Sequence, residues 1–187
     1  MNKKNILVTG RPGIGKTTCV RRVAELLLSR GVNVGGMITL EVRERGKRIG
    51  FQIIDIQRGL RGWLAKVDAL GKLRVGKYTV MLDDLERIGV AAIRDALENA
   101  HVVVVDEIGP MELYSKKFKN VVWNVLESSK PLLATIHVKA NRYEFGKRIL
   151  ERKDVEIITL TLGNRENMPA VIARKIANLL SEKRLIF

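Results

Sequence analysis

The sequence predicts an α/β fold: a mainly parallel central sheet carrying a β-hairpin, with helices on both faces. Three observations predict it. Short aliphatic runs alternate along the chain with stretches of helical spacing. Val102-Val103-Val104-Val105 is β-branched throughout, which suits a parallel strand buried on both faces. Gly36 to Val42 and Arg48 to Ile56 are extended segments joined by the polar Arg43-Glu44-Arg45-Gly46-Lys47, which reads as a hairpin.

Taken in order, Ile6 to Thr9 is a short buried strand that ends in a turn-forming run, Gly10 to Gly15. From Lys16 the period changes. Val20, Val23, Ala24, Leu27 and Leu28 make one stripe of a helix, Arg21, Arg22, Glu25 and Arg30 face away, and Gly31 marks its end. After the hairpin, Gly59 to Gly76 is glycine-rich and reads as a loop with a short strand around Trp63 to Val67. Tyr78 to Leu82 is a strand. Asp83 opens a helix, with Glu86 three residues on as a capping box and Leu85, Ile88, Ala92 and Ala96 as its apolar seam, and Asn99 stops it.

His101 to Val105 is the next strand. Phe118, Val121, Val122, Val125 and Leu126 then show helical spacing, and Pro131 separates that helix from the strand Leu132 to Ile136. Asn141 to Leu150 reads as helix and Val155 to Leu160 as strand. The last helix runs from Met168 to Leu180, with Asn167 as cap and Pro169 in its first turn. The chain has 187 residues and no internal repeat or linker, so one domain, 1–187, is expected.

Composition narrows the function classes. Apolar residues are 46% and charged residues 29%, which excludes a disordered chain. No aliphatic run approaches the ~20 residues that span a bilayer. Met1-Asn2-Lys3-Lys4 leads into too few apolar residues for a signal peptide, and the single cysteine, Cys19, forms no internal disulfide. A cytoplasmic monomer with no membrane association is expected. Cys19 is read as a small apolar core group. The net charge of +14 attracts phosphates, on a nucleotide or a nucleic acid. Aromatic residues are only 5% and do not interleave with basic ones, so a nucleic-acid partner is less favoured.

Two motifs carry the chemistry. Gly10-Arg11-Pro12-Gly13-Ile14-Gly15-Lys16-Thr17 matches G-x-x-x-x-G-K-[ST], the P-loop or Walker A pattern, between a strand and a helix. Glycines let backbone N–H groups turn inward as an anion nest, and the helix N-terminus adds unpaired N–H groups. Lys16 then places an ammonium near the β- and γ-phosphates, and the Thr17 hydroxyl can ligate Mg²⁺. The valine run followed by Asp106-Glu107 is a Walker B pattern. Both motifs lie at carboxyl ends of strands, where ligands bind in open α/β sheets, and they share a site if their strands are neighbours. Asp106 would hold Mg²⁺, and Glu107 would orient and deprotonate an attacking water.

Other residues carry two readings each. Glu112 is a second base or a cap of the helix that follows. Thr135 and His137, at the end of the next strand, touch the γ-phosphate or the water, or are bonded structurally; His137, with an ordinary pKa near 6.5, is also a variable charge. Arg142 or Arg148, in a basic segment with Lys139 and Lys147, stabilises transition-state charge or lies on a solvated face.

The chain resembles the small nucleoside-triphosphatases of hyperthermophile type, relatives of the human cancer-related nucleoside-triphosphatase. The resemblance covers nearly the whole chain. It rests on Gly10 through Thr18, on Gly36 through Glu41-Val42-Arg43, on Arg48-Ile49-Gly50-Phe51 and on Asp106-Glu107-Ile108-Gly109-Pro110-Met111-Glu112. Asn164-Arg165 is similar to the family's near-terminal pair. The resemblance implies a RecA-like P-loop fold and slow, Mg²⁺-dependent hydrolysis of ATP, GTP, CTP and UTP, with the base read loosely. It adds Thr18, Asn164 and Arg165 to the expected nucleotide-binding residues, the latter two near the base.

The alternatives are a small-molecule or nucleotide kinase on the same scaffold, with Lys139 to Arg152 as a phosphate-closing lid, and a nucleic-acid-linked ATPase. The acid after Asp106 favours water as acceptor over a kinase substrate. A nucleic-acid-linked ATPase would bind with steep salt dependence.

Overall fold

The structure, a computed structural model, describes residues 3–184. Met1 and Asn2, part of the leader reading, lie outside them. Strands are β1 (Asn5–Thr9), β2 (Val34–Glu44), β3 (Lys47–Asp55), β4 (Arg61–Lys66), β5 (Arg74–Val75), β6 (Tyr78–Val80), β7 (Val102–Ile108), β8 (Leu132–Ile136) and β9 (Val155–Thr159). Helix α1 is Lys16–Leu28, and α2 covers residues 82–99, α-helical at both ends and π-helical over Leu85–Val90. Helices α3 (Lys116–Glu127), α4 (Glu144–Leu150) and α5 (Met168–Arg184) follow, with short 3₁₀ turns at Glu112–Tyr114 and Ala140–Arg142.

One nine-stranded sheet has the order β5-β6-β4-β3-β2-β7-β8-β1-β9. From β2 to β9 every pairing is parallel. From β2 to β5 every pairing is antiparallel. The predicted α/β class with helices on both faces is what forms. The hairpin is the start of a longer antiparallel wing, because the glycine-rich stretch after it also pairs: the strand expected around Trp63 to Val67 forms as β4, and the two-residue β5 is added to the wing through β6.

Strand alternation feeds two apolar layers. Leu7, Val103, Val105, Leu132 and Ala134 pack with Ile93, Phe118, Val122 and Ile149 of α2, α3 and α4. Ile6, Val8, Val102, Val104 and Leu133 pack with Val20, Val23, Leu27, Ile172 and Ile176 of α1 and α5. Cys19 belongs to this second layer, as expected, and burial pushes its thiol up to about 11. No helix among the described residues is long and apolar enough to cross a membrane.

Two local expectations are corrected. The capping box at Asp83 and Glu86 does not form, since the helix already starts at Leu82. Glu86 instead accepts a hydrogen bond from the Ser115 hydroxyl at 2.9 Å and pairs with Lys117 at 2.7 Å. The helix predicted from Asn141 is broken at Tyr143, where the chain is extended between a 3₁₀ turn and α4.

Candidate active site

The turn after β1 and the N-terminus of α1 form one lip of a cleft of about 540 Å³. Gly10, Gly13 and Gly15 all have positive φ, of 146°, 77° and 107°, a backbone region that a side chain would strain. That curl aims the α1 N-terminus at the cleft, which Pro12, Gly13, Gly15, Lys16, Thr17 and Thr18 line. Gly10 and Ile14 are buried beneath the loop, and Arg11 is exposed and outside the lining.

Strands β1 and β7 are not neighbours: β8 lies between them. The two motifs meet all the same. Two strand spacings come to roughly 10 Å, a gap that the long Lys16 side chain closes from the loop above. Its Nζ lies 3.4 Å from the Gly10 carbonyl, to which it donates, and 3.8 Å from Glu107 Oε2, an ion pair.

Asp106 is fully buried and ringed by threonines. The Thr135 hydroxyl on β8 donates to its Oδ1 at 2.5 Å, and the Thr39 backbone N–H and hydroxyl on β2 donate to Oδ2 at 3.4 and 3.3 Å. The Thr17 side chain also hydrogen-bonds this carboxyl. Burial pushes the Asp106 pKa up, and these donors pull it back toward the anion. The β7–β8 ladder is irregular between Val105 and Ile108, where Asp106 and Glu107 are joined by a cis peptide.

Glu107 projects into the cleft. Burial raises its pKa, Lys16 lowers it and Asp106 raises it again. Glu112, 3% exposed, sits beside it. A methyl group at Gly109 would meet Glu107 Oε1 at 2.7 Å and Glu112 Oε2 at 3.2 Å, so both carboxyls close around that glycine. Burial first, and Glu107 second, hold Glu112 well above the usual carboxylate range. Glu112 is not the cap of α3: Ser115 is, its hydroxyl accepting from the Phe118 N–H at 3.0 Å.

His137 lines the cleft, and its Nδ1 accepts from the Lys139 N–H at 3.1 Å. Burial, Lys16 and Lys139 push its pKa down, so it is neutral at pH 7. Thr135 serves Asp106 from below.

The expected distal groups lie elsewhere. The Arg148 guanidinium stacks 4.3 Å from the Trp123 ring centroid, with Arg152 at 5.2 Å on the same ring. Arg142 is exposed in the 3₁₀ turn and does not line the cleft. Within the basic segment, Arg148 and Arg152 thus lie on a tryptophan of α3, and Arg152 also pairs with the carboxyls of Glu127 and Asp154. Asn164 ties the loop after β9, accepting from the Thr161 N–H at 2.8 Å and donating to the Thr159 carbonyl at 3.0 Å. Arg165 pairs with Glu166, and neither Asn164 nor Arg165 lines the cleft.

The cleft also has a wall that residue-type reasoning gave no role. Thr39, Leu40 and Glu41 of β2, Arg48 and Phe51 of β3, Leu64 of β4 and Met111 line it opposite the P-loop. The signal was present in Glu41 and Arg48-Ile49-Gly50-Phe51, but only strand pairing turns these toward Asp106.

Comparison with known proteins agrees with this architecture. A family model described as NTPase matches residues 5–173. The nucleoside-triphosphatase THEP1 of Thermofilum pendens is 55% identical over 181 residues, covering 97% of this chain and all of that protein. That of Methanosarcina acetivorans is 46% identical, covering 94% and 98%. The crystal structure of THEP1 from Aquifex aeolicus superposes with a TM-score of 0.77 at 30% identity, covering 90% of this chain and 96% of that one. The solution structure of a human cancer-related nucleoside triphosphatase gives 0.79 at 36% identity, covering 91% and 96%. On the matched span, the identity to these relatives and the shared fold, the chain belongs to the NTPase family.

Proposed function

We propose that the protein hydrolyses nucleoside 5′-triphosphates, ATP, GTP, CTP and UTP alike, to the diphosphate and phosphate in a Mg²⁺-dependent reaction. The carrying observation is the Lys16 ammonium and the Glu107 carboxylate 3.8 Å apart in one cleft, above the buried Asp106. The relatives' name, nucleoside-triphosphatase, supports the same reading.

The donor set fits Mg²⁺: the Thr17 hydroxyl and the Asp106 carboxyl, which would hold it, are hard oxygen donors, one of them a carboxylate. When bound, the cation would supply positive charge that offsets the charge of the triphosphate tail. Thr39 and Thr135 fix the Asp106 carboxyl, which is held from three elements.

The loop N–H groups bind phosphate oxygens common to every nucleotide, which supports loose reading of the base. A triphosphate competes with Glu107 for Lys16 and frees that carboxylate to orient water. Glu107 accepts one proton as the water oxygen bonds to the γ-phosphorus. The bond from that phosphorus to the β–γ bridging oxygen breaks, and the electron pair leaves with the diphosphate. Positioning and fixed charge supply most of the acceleration.

Phosphate release from the four ribonucleotides, measured for wild type and Lys16→Ala, tests this. All four activities should fall together, by about 10²-fold or more, the cost of losing a preorganised charge at the transferred group. Loss of one activity alone, or none, contradicts a single site.

A further inference from the structure

We propose that Arg48 is the arginine that neutralises the terminal phosphate of the bound triphosphate, and that Glu41 latches it aside until that phosphate arrives. The proposal rests on the nucleotide reading of the cleft and adds a residue to it.

Arg48 lines the same cleft as Lys16 and Glu107, on the opposite wall. Glu41 is two residues beyond Thr39 on β2, so both side chains take one face of the strand, roughly 7 Å apart along it. Thr39 touches Asp106, which places the Glu41–Arg48 pair one short step past the carboxylate floor.

The pair is built to release. Arg48 Nη2 lies 2.5 Å from Glu41 Oε2, and both side chains are open to solvent, 40% and 32% exposed. An exposed ion pair of this kind is worth little. The guanidinium rests 5.4 Å over the Phe51 ring, a shelf that holds its plane. Its Nε is buried and, among the described residues, is the one such side-chain nitrogen or oxygen with no hydrogen-bond partner. A phosphate accepts from a guanidinium fork in two places and is a stronger partner than a solvated carboxylate. Glu41 is not stranded when Arg48 leaves, because Arg43 Nε also donates to it.

Steady-state hydrolysis of Mg·ATP by wild type, Arg48→Ala, Arg48→Lys and Glu41→Gln tests the proposal, with millimolar guanidinium added to Arg48→Ala. Arg48→Ala should lose about 10²- to 10³-fold in kcat with KM changed by less than about threefold, and free guanidinium should restore part of the rate. Arg48→Lys should recover at most about a tenth of the wild-type rate, since a point charge lacks the fork. Glu41→Gln should raise kcat by about two- to fivefold, the shift expected on releasing an exposed pair.

A kcat within about threefold of wild type in Arg48→Ala overturns the proposal. So does an equal loss in Arg48→Ala and Glu41→Gln, which would mark the pair as structural. If Arg48→Ala does not fold, Arg48→Lys decides by the same thresholds. A wild type that releases no phosphate fails the nucleotide reading itself, which separates that failure from failure of Arg48 alone.

Discussion

Glu112, only 3% exposed, is a carboxyl whose titration the fold constrains directly. Its folded-state pKa is raised, by burial and then by Glu107, above the unfolded value of 4.5. Below that value both states hold the proton and no stability is lost. As pH rises the unfolded chain ionises first, and stability falls until the raised pKa is passed. Glu112→Gln keeps the shape and removes the titration. Its denaturant midpoint should match wild type near pH 4 and exceed it at pH 8, by about 1 kcal/mol or more. A constant difference across that range would mean Glu112 does not hold a proton in the fold. At this scale the sequence was readable where chemistry sits beside a pattern. Lys16 and Thr17 follow spaced glycines, and Asp106 and Glu107 follow four valines. Arg48 stood in a motif of the resemblance, but its place in the cleft was not readable, because strand pairing rather than local pattern brings the hairpin there. Its meaning comes from the strand register that sets Glu41 opposite Phe51.

Elements with a clean period matched expectation closely. Strands β1, β7 and β8 and helices α1 and α3 follow from aliphatic alternation and helical stripes. The misses have local causes. The stretch from Gly59 to Gly76 holds, besides the expected strand near Trp63, the two-residue β5, whose pairing is tertiary, and Glu86 answers a partner on another helix rather than its own. That partner, Ser115, joins two elements: its hydroxyl caps α3 at the Phe118 N–H and donates to Glu86 on α2, while the residue is only 1% exposed. Ser115→Ala removes both bonds at once and should destabilise by about 1–2 kcal/mol. Equilibrium unfolding in guanidinium chloride measures this, and an unchanged midpoint would remove Ser115 as the tie between α2 and α3.

For the whole molecule, the sheet order explains why the site was only partly legible. Alternating strands and helices predict the parallel half and its two covered faces. They do not say that β8 separates β1 from β7, nor that β2 brings the antiparallel wing to the far side of the cleft. The resulting cleft is lined by the glycine-rich turn and Lys16 on one side, by Glu107 and Glu112, and by residues of β2 and β3 that include Arg48. The most direct test of that pocket is a comparison of ATP binding and single-turnover phosphate release in wild type and Glu107→Gln. The variant should bind Mg·ATP at least as tightly, because Lys16 no longer has a carboxylate competing for it. It should release phosphate about 10²- to 10⁴-fold more slowly, the span of a lost general base. Release at the wild-type rate would show that the proton from water goes elsewhere and would break the account at its centre.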